Sequence, residues 1–205
     1  MTAILKVDTI QDTSGNNIIN ESSDTITIGA SGDTTNIVGT LQNNGFALAS
    51  GITEADMWRL TTNITANESP ISNNLERVDN ASFAKIGTGM SVSSGVWTFP
   101  STGLYQVGFT AAITCTTGDT VVVSLDVSQN NGSAWDNVVY GSSGGSGVTG
   151  DDGSNINLSN LVNVTDTSNV KARFNAASIS SGSRVTGNTD ANMTSFYFIR
   201  LGDSQ

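Results

Sequence analysis

The sequence contains no histidine, which excludes Ser-His and Cys-His nucleophile pairs and the commonest proton shuttles of enzymes. Pairs of carboxylates that cleave glycosides are compatible with the composition. The Asp and Glu residues, however, stand mostly at the ends of candidate strands and in turns, where solvated or turn-forming roles are usual. We therefore expect a protein that is not an enzyme and has neither a catalytic residue nor a cofactor.

Cysteine and long apolar runs are also scarce. Cys115 is the single cysteine, so no disulfide can form within one chain, and its apolar surroundings predict a small buried side chain. No segment approaches the about 20 apolar residues that span a bilayer. The N-terminus lacks the basic region and apolar stretch of a secretory signal. We expect synthesis in a host cytoplasm, without the usual export route and without membrane insertion.

Positive charge is the third scarcity. The chain has 8 basic and 18 acidic residues, a net charge of -10 and a pI near 4.1. Because the basic residues are scattered, the sequence does not predict a nucleic-acid partner. Gly, Ser, Thr and Asn are abundant instead, which is typical of short strands joined by tight turns.

Apolar and polar residues alternate at period two in many segments, which predicts an all-β protein. The candidate strands after the first fifty residues are 57–63, 82–86, 95–99, 103–113, 120–128, 136–140, 157–164, 169–176 and 193–201. One short helical turn is expected at Thr53, with Glu54 and Asp56 near its N-terminus. This number of strands suits a double-sheet jelly roll, which has about eight.

Residues 1–50 differ from the rest of the chain. Their candidate strands carry aliphatic side chains, and no aromatic residue precedes Phe46. The candidates are Ile4–Ile10, Asn16–Asn20, Asp24–Gly29 and Asp33–Thr40, the last of which echoes the third as a weak repeat. We predict that this part is a short β shaft intertwined from three chains, ordered only in the oligomer or on a partner. Residues 41–56 are expected to be a linker to a domain at 51–205.

Two phrases in the second part resemble the C1q/TNF-like jelly roll. Phe99-Pro100-Ser101-Thr102-Gly103-Leu104-Tyr105 resembles the start of a core strand in that family, and Ser195–Ile199 resembles its closing aromatic strand. The resemblance covers roughly residues 55–205 and implies a β-sandwich that assembles as a homotrimer. The residues that it places in the core or at the trimer contact are Phe99, Gly103, Tyr105, Phe109, Phe196 and Phe198.

Other phrases resemble virion proteins of marine bacteriophages, cyanophages among them. The run from Lys6 to Asp12, continuing to Gly39-Thr40, is similar to the N-terminal segments of tail fibres, and Gly51–Leu60 is similar to the phrase that introduces their C-terminal β domain. This implies a structural protein of the virion, a short tail fibre. Residues 1–50 would contact other virion proteins, and a trimeric knob would bind a glycan receptor on the host surface.

Three alternatives remain open. The same trimer would serve as a capsid or tail decoration protein with no receptor, or as a fibre that depolymerises host polysaccharide. A cellular C1q-like adhesion module is the third, and it would be expected to carry an export signal or a collagen-like stalk.

Trp135, Asp136, Asn137 and Tyr140 form the candidate receptor-binding set. They follow a turn at Asn131-Gly132, and aromatic faces beside amide and carboxylate groups suit a neutral sugar. The alternative is that Trp135 or Tyr140 packs between sheets or between protomers.

Asp151–Asn157 is the best candidate for a metal site, because calcium prefers carboxylate, amide and carbonyl oxygens. The glycine placement and the missing closing Glu depart from the EF-hand pattern. We therefore expect a polar loop without metal, preceded by a mobile loop at Gly141–Gly147.

Overall fold

The fold was obtained as a computed structural model of the 205-residue chain. The structure describes residues 9–11, 13, 17–22, 25–28, 32–39, 41–43, 46–47, 51–146, 152–180 and 182–205. The chain divides into two compact units, Met1–Ser50 and Gly51–Gln205. These described residues contain no helix. The helical turn expected at Thr53 is wrong, because the chain there extends into a strand that begins at Ala55.

The first unit contains short antiparallel strands. β1 (Thr9–Gln11), β2 (Asn17–Ser22) and β3 (Thr25–Ile28) form one sheet in that order, and β4 (Gln42–Asn43) pairs with β5 (Phe46–Ala47). The hairpin of β4 and β5 replaces part of the expected linker.

Aliphatic side chains of the first unit remain exposed. Val38 is 93% exposed and Ile26 is 69% exposed, so one copy buries little apolar surface here. The strand expected at Asp33–Thr40 is wrong for residues 33–39, which are irregular because no described strand pairs with them. Most of the strand expected at Ile4–Ile10 lies outside the described residues. The three-chain shaft stays a prediction.

The second unit is a sandwich of two antiparallel sheets. Its strands are β6 (Ala55–Leu60), β7 (Leu75–Arg77), β8 (Ser91–Ser93), β9 (Val96–Thr98), β10 (Gly103–Cys115), β11 (Thr120–Ser128), β12 (Asp136–Gly144), β13 (Asp152–Val164), β14 (Lys171–Ala177), β15 (Arg184–Val185) and β16 (Ser195–Gly202). A six-stranded sheet has the order β13-β10-β16-β6-β7, with β15 also paired to β10, and a five-stranded sheet has the order β12-β11-β14-β9-β8. This arrangement is a jelly roll, which confirms the predicted fold class.

Most strand predictions hold, and the exceptions have local causes. The segment 82–86 is not a strand and contributes only an isolated bridge between Ala55 and Ile86. The sequence analysis missed β7, β8 and β15, each of which has three residues or fewer. A pattern of period two cannot be recognised over so short a stretch.

The glycine- and serine-rich region is also more ordered than expected. β12 continues to Gly144 and β13 starts at Asp152, so the expected loops are wrong for residues 141–144 and 152–157. A Cβ on Gly141 would lie 2.8 Å from Cγ2 of Ile156. The two sheets therefore approach closely at this edge, where small residues fit and backbone pairing with β11 supplies the order.

Trp97 lies at the centre of the core. Its ring centroid is 5.2 Å from that of Trp58 and 5.0 Å from that of Phe198, and Phe174 and Phe196 complete the cluster. The aromatic residues of the predicted trimer or core set all lie inside the sandwich of one chain, namely Phe99, Tyr105, Phe109, Phe196 and Phe198. They stabilise the single domain by apolar burial and edge-to-face contact.

Cys115 ends β10 and is fully buried, as its apolar surroundings predicted. Its thiol donates a hydrogen bond of 3.2 Å to the carbonyl oxygen of Ser143. The cysteine therefore acts as a small core residue.

Truncation of Phe198 tests the aromatic core. Phe198→Ala is expected to lower the free energy of unfolding by about 3–5 kcal/mol, because a fully buried ring is lost and leaves a cavity. Denaturant unfolding measures this, and Met193→Ala, at an exposed position, is the control that should change stability by about 0.5 kcal/mol or less. An unchanged midpoint for Phe198→Ala would place β16 elsewhere.

Gly103 begins β10 in a conformation that suits glycine, with φ at +152°. A Cβ there would lie 2.7 Å from the carbonyl oxygen of Gly202 and would contact Nε of Arg200. Gly103→Val is therefore expected to cost about 1–3 kcal/mol of stability. Gly153→Val is the matched control, since a Cβ on Gly153 has no heavy atom within 4 Å. Equal thermal midpoints for the two variants would contradict this account.

Candidate binding surface

The predicted receptor-binding residues lie on and beside β12, at the edge of the five-stranded sheet. Asn137 lies opposite Asp126 of β11, and Tyr140 lies opposite Ser124. Ser124 and Asp126 alternate along β11 with the core residues Leu125 and Val127, so these positions face away from the core. Asp136 lies opposite Val127 and therefore faces the other way.

A β-bulge brings Asn137 and Tyr140 to the same face. The register of β11 and β12 shifts between Leu125 and Asp126, which leaves Val138 as an extra residue on β12. Val138 and Val139 both pack against the core. Without the bulge, residues three apart on a strand would point to opposite faces. The structure thus groups Asn137 and Tyr140 and separates Asp136 from them.

The carboxylate of Asp126 is the hub of this surface. Its Oδ1 accepts a hydrogen bond of 2.8 Å from Nδ2 of Asn137. Its Oδ2 accepts bonds of 2.9 Å from Nε of Arg173 and from Nδ2 of Asn175. The side chain is 9% exposed, so its charge is paired and hydrogen-bonded where it is largely removed from water.

Trp135 stacks on the same network. Cζ of Arg173 lies 4.5 Å from the centroid of the Trp135 ring, a cation–π geometry. The preceding turn holds the ring in place, since Oγ of Ser128 accepts a hydrogen bond of 2.8 Å from the backbone N–H of Gly132. Trp135 is half-buried and packs on the outer side of its own sheet, not between the two sheets.

Hydroxyl and amide groups continue the surface beside Tyr140. Nδ2 of Asn175 donates to Oγ of Ser124 at 2.9 Å, and Oγ of Ser69 donates to Oδ1 of Asn175 at 3.0 Å. Tyr140 is 69% exposed at the edge of this row. We call the whole set the polar face, which consists of Ser124, Asp126, Trp135, Asn137, Tyr140, Arg173 and Asn175.

Sequence analysis missed four members of the polar face: Ser124, Asp126, Arg173 and Asn175. Ser124 and Asp126 stand between apolar residues of a predicted strand, a pattern that places them on its solvent side. Their meeting with Arg173 and Asn175 depends on the pairing of β11 with β14, which the sequence does not reveal.

The opposite side of the sandwich carries a second surface. We call it the apolar face, a set of outward positions on β6, β10, β13 and β16, with Leu104, Gln106, Gly108, Leu161, Tyr197, Ile199, Ala55 and Met57. The ion pair of Arg59 and Glu76 lies farther along the same outer side, on β6 and β7. A Cβ on Gly108 would overlap the ring of Tyr197, so this ring covers the backbone of β10 at Gly108. Among the described residues of β10, β13 and β16, the positions that face outward hold no charged side chain.

The candidate metal segment is part of β13 from Asp152 onward, and Asp151 lies outside the described residues. Hydrogen bonds from Ser146 lower the pKa of Asp152. In the part of the chain that the structure describes, no three His, Cys, Asp or Glu side chains are grouped so that they could hold a metal. The described residues also include no helix long and apolar enough to cross a membrane.

Comparison with known proteins identifies the fold. No family model matches the chain, and no curated protein matches it. The structure of Eiger TNF from S. frugiperda is similar, with a TM-score of 0.56 and 10% identity, over 76% of this chain and 96% of that chain. Murine APRIL at pH 8.5 is similar with a TM-score of 0.50 and 8% identity, over 72% of this chain and 98% of that one. The chain has a TNF-like jelly-roll fold.

The resemblance to C1q/TNF-like proteins is thus confirmed for the TNF-like fold, and at these identities for the fold alone. The TNF-like jelly roll exposes two sheet faces of opposite character, the polar face and the apolar face.

Replacement of Asp126 tests the polar network. Asp126→Asn is expected to lower the free energy of unfolding by about 2–4 kcal/mol, because Arg173 loses its counter-charge and the new amide presents donors to donors. Asp136→Asn is the matched control on an exposed neighbour and should change stability by about 0.5 kcal/mol or less. Urea unfolding of both variants measures the difference. Equal losses of stability would show that the carboxylate of Asp126 is not the hub of the network.

Proposed function

We propose that this chain is a non-enzymatic structural protein of a virion, a short bacteriophage tail fibre whose homotrimeric knob binds a glycan on the host surface. The observation that carries the proposal is the polar face. It presents the exposed ring of Tyr140 beside an ordered set of amide, hydroxyl and carboxylate groups.

The chemistry of the polar face suits a sugar. A pyranose ring offers an apolar side that packs on an aromatic ring and hydroxyls that need donors and acceptors. Asn137 and Ser124 are held by hydrogen bonds within the protein, so little side-chain freedom is lost on binding. The charge of Arg173 is paired with Asp126, which favours a neutral sugar over an anionic one.

The apolar face supports the trimer. Apolar side chains on the outer side of a sheet, half-buried at Tyr197 and exposed at Leu161, are typical of a site of association. Copies of a chain with net charge -10 repel each other, and the absence of charge from the outward positions of the described strands β10, β13 and β16 removes that obstacle there. Three copies on one axis would present three polar faces, and such multivalency raises a weak affinity.

The virion location rests on the phage-like phrases. In the second of these, Trp58 packs against the core and Arg59 is buried with ion pairs to Glu76 and Asp79, so that phrase is part of the domain itself. Residues 1–50 would attach to other virion proteins after synthesis in the host cytoplasm. Their exposed aliphatic side chains are consistent with burial against a partner or a second copy.

Binding of the full-length chain to an array of bacterial surface oligosaccharides tests the function. Tyr140→Ala is expected to weaken binding by at least about tenfold, because a truncated aromatic anchor removes contact area. Tyr140→Phe should retain most of the binding, and Met193→Ala should bind as the unchanged chain does.

Light scattering on the same samples measures the assembly. A trimer that binds no sugar of the array and does not adsorb to susceptible cells would favour a capsid or tail decoration protein. Release of new reducing ends from envelope polysaccharide would favour a depolymerase fibre.

A further inference from the structure

Leu161 is an apolar side chain in an unusual place. It lies on the outer side of β13, the edge strand of the six-stranded sheet, and is 56% exposed. Its outward neighbours on β13 are Ser159 and Asn163, which are polar. A leucine there gains little from the core of its own chain, and more than half of its side chain is available for contact with another molecule.

A cavity of about 250 Å³ opens on the same face of the sheet, next to β6 and β16 and away from β13. The side chains that line it are apolar, from Ala55, Met57, Phe83, Ala84, Tyr197 and Ile199. Asp56 is also at the cavity, but its carboxylate is turned into the domain, where it accepts hydrogen bonds from Arg77 and from the Nε1–H of Trp58. The cavity therefore suits an uncharged apolar group.

Leu161 and the cavity lie at the same height along the strands. Leu161 lies opposite Gln106, Gln106 opposite Ile199, and Ile199 opposite Ala55. These residues form one row across β13, β10, β16 and β6. Three strand spacings separate the ends of the row, which is about 14 Å.

In a trimer with cyclic symmetry, one end of this row would meet the other end of the row in the neighbouring copy. Rotation about an axis that runs along the strands leaves height along the strands unchanged. About such an axis, Leu161 of one copy would arrive at the level of the cavity of the next copy. Because the leucine and the cavity are different parts of one face, the contact is heterologous and can close into a ring.

We propose that Leu161 of each copy inserts into the cavity at Met57, Phe83 and Tyr197 of the neighbouring copy, and that this contact sets the register of the trimer. The inference rests on the proposed trimer and adds the pair of positions that specifies it. The uncharged outward positions around Leu161 and Tyr197 let the two acidic chains approach at this contact.

Disulfide trapping in the full-length chain tests the pair. Leu161→Cys and Ala84→Cys are introduced together, and mild oxidation is followed by gel electrophoresis without reductant. A disulfide needs Cα atoms within about 7 Å, so covalent dimers and trimers are expected for this double variant. The matched control combines Ala84→Cys with Asn155→Cys, an exposed outward position on the same strand about 20 Å away, and should remain monomeric on the gel. Cys115 is buried in every variant.

Light scattering of the unchanged chain separates the possible failures. A trimer with cross-links specific to Leu161→Cys supports the proposal. A trimer that cross-links equally in both variants, or in neither, overturns the leucine contact and leaves the trimer in place. A monomer overturns both.

Replacement of Leu161 by a charged residue provides a second test, in which the concentration at half-assembly is measured. Leu161→Asp is expected to raise the concentration at half-assembly by at least about tenfold, and Asn155→Asp should leave it within about twofold. Equal assembly by Leu161→Asp and the unchanged chain would overturn the proposal, because an aspartate does not fit an apolar cavity.

Discussion

The register of β10 is the constraint on which the rest of the structure depends. All thirteen residues of β10 are paired with β13, and its first part is also paired with β16. One side of this strand supplies Tyr105, Val107 and Phe109 to the core, and the other supplies Gln106 and Gly108 to the apolar face. A slip by one residue would exchange the two sides. The same pairing therefore builds the core and aligns the row from Leu161 to Ala55.

The outer sides of the two sheets differ in chemical character. The five-stranded sheet carries polar groups that are ordered by bonds to one another, with Asp126 as their common acceptor. The six-stranded sheet carries an apolar face in which the ring of Tyr197 covers Gly108 of the neighbouring strand. A polar face with fixed groups suits the proposed recognition of a small polar ligand, and an apolar face without charge at the outward positions of the described strands β10, β13 and β16 suits the proposed association with another copy. Both follow from the alternation of side chains on strands whose other side is buried.

The sequence predicted the jelly roll because its long strands show the alternation over many residues. β10 and β11 were recognised for this reason, and Phe99, Phe109 and Phe198, which the resemblance places in the core or at the trimer contact, are buried within one chain. The binding surface was predicted only in part, since neighbours in sequence do not share a face on a strand. Asp136 points away from Asn137, and Tyr140 joins Asn137 only through the bulge at Val138, which no local signal in the sequence marks. Pairing between distant strands, such as β11 with β14, decides the remainder.

The contact between Tyr197 and Gly108 ties two distant positions together. The tyrosine ring occupies the space that any Cβ at position 108 would need. A larger residue at 108 would lift the ring and turn a level surface into an uneven one. In related chains, the residues at these positions are therefore expected to change jointly, with glycine retained wherever an aromatic ring is retained. Positions 108 and 197 should therefore vary together, and the shape of the apolar face should be the same wherever this pair of residues is the same.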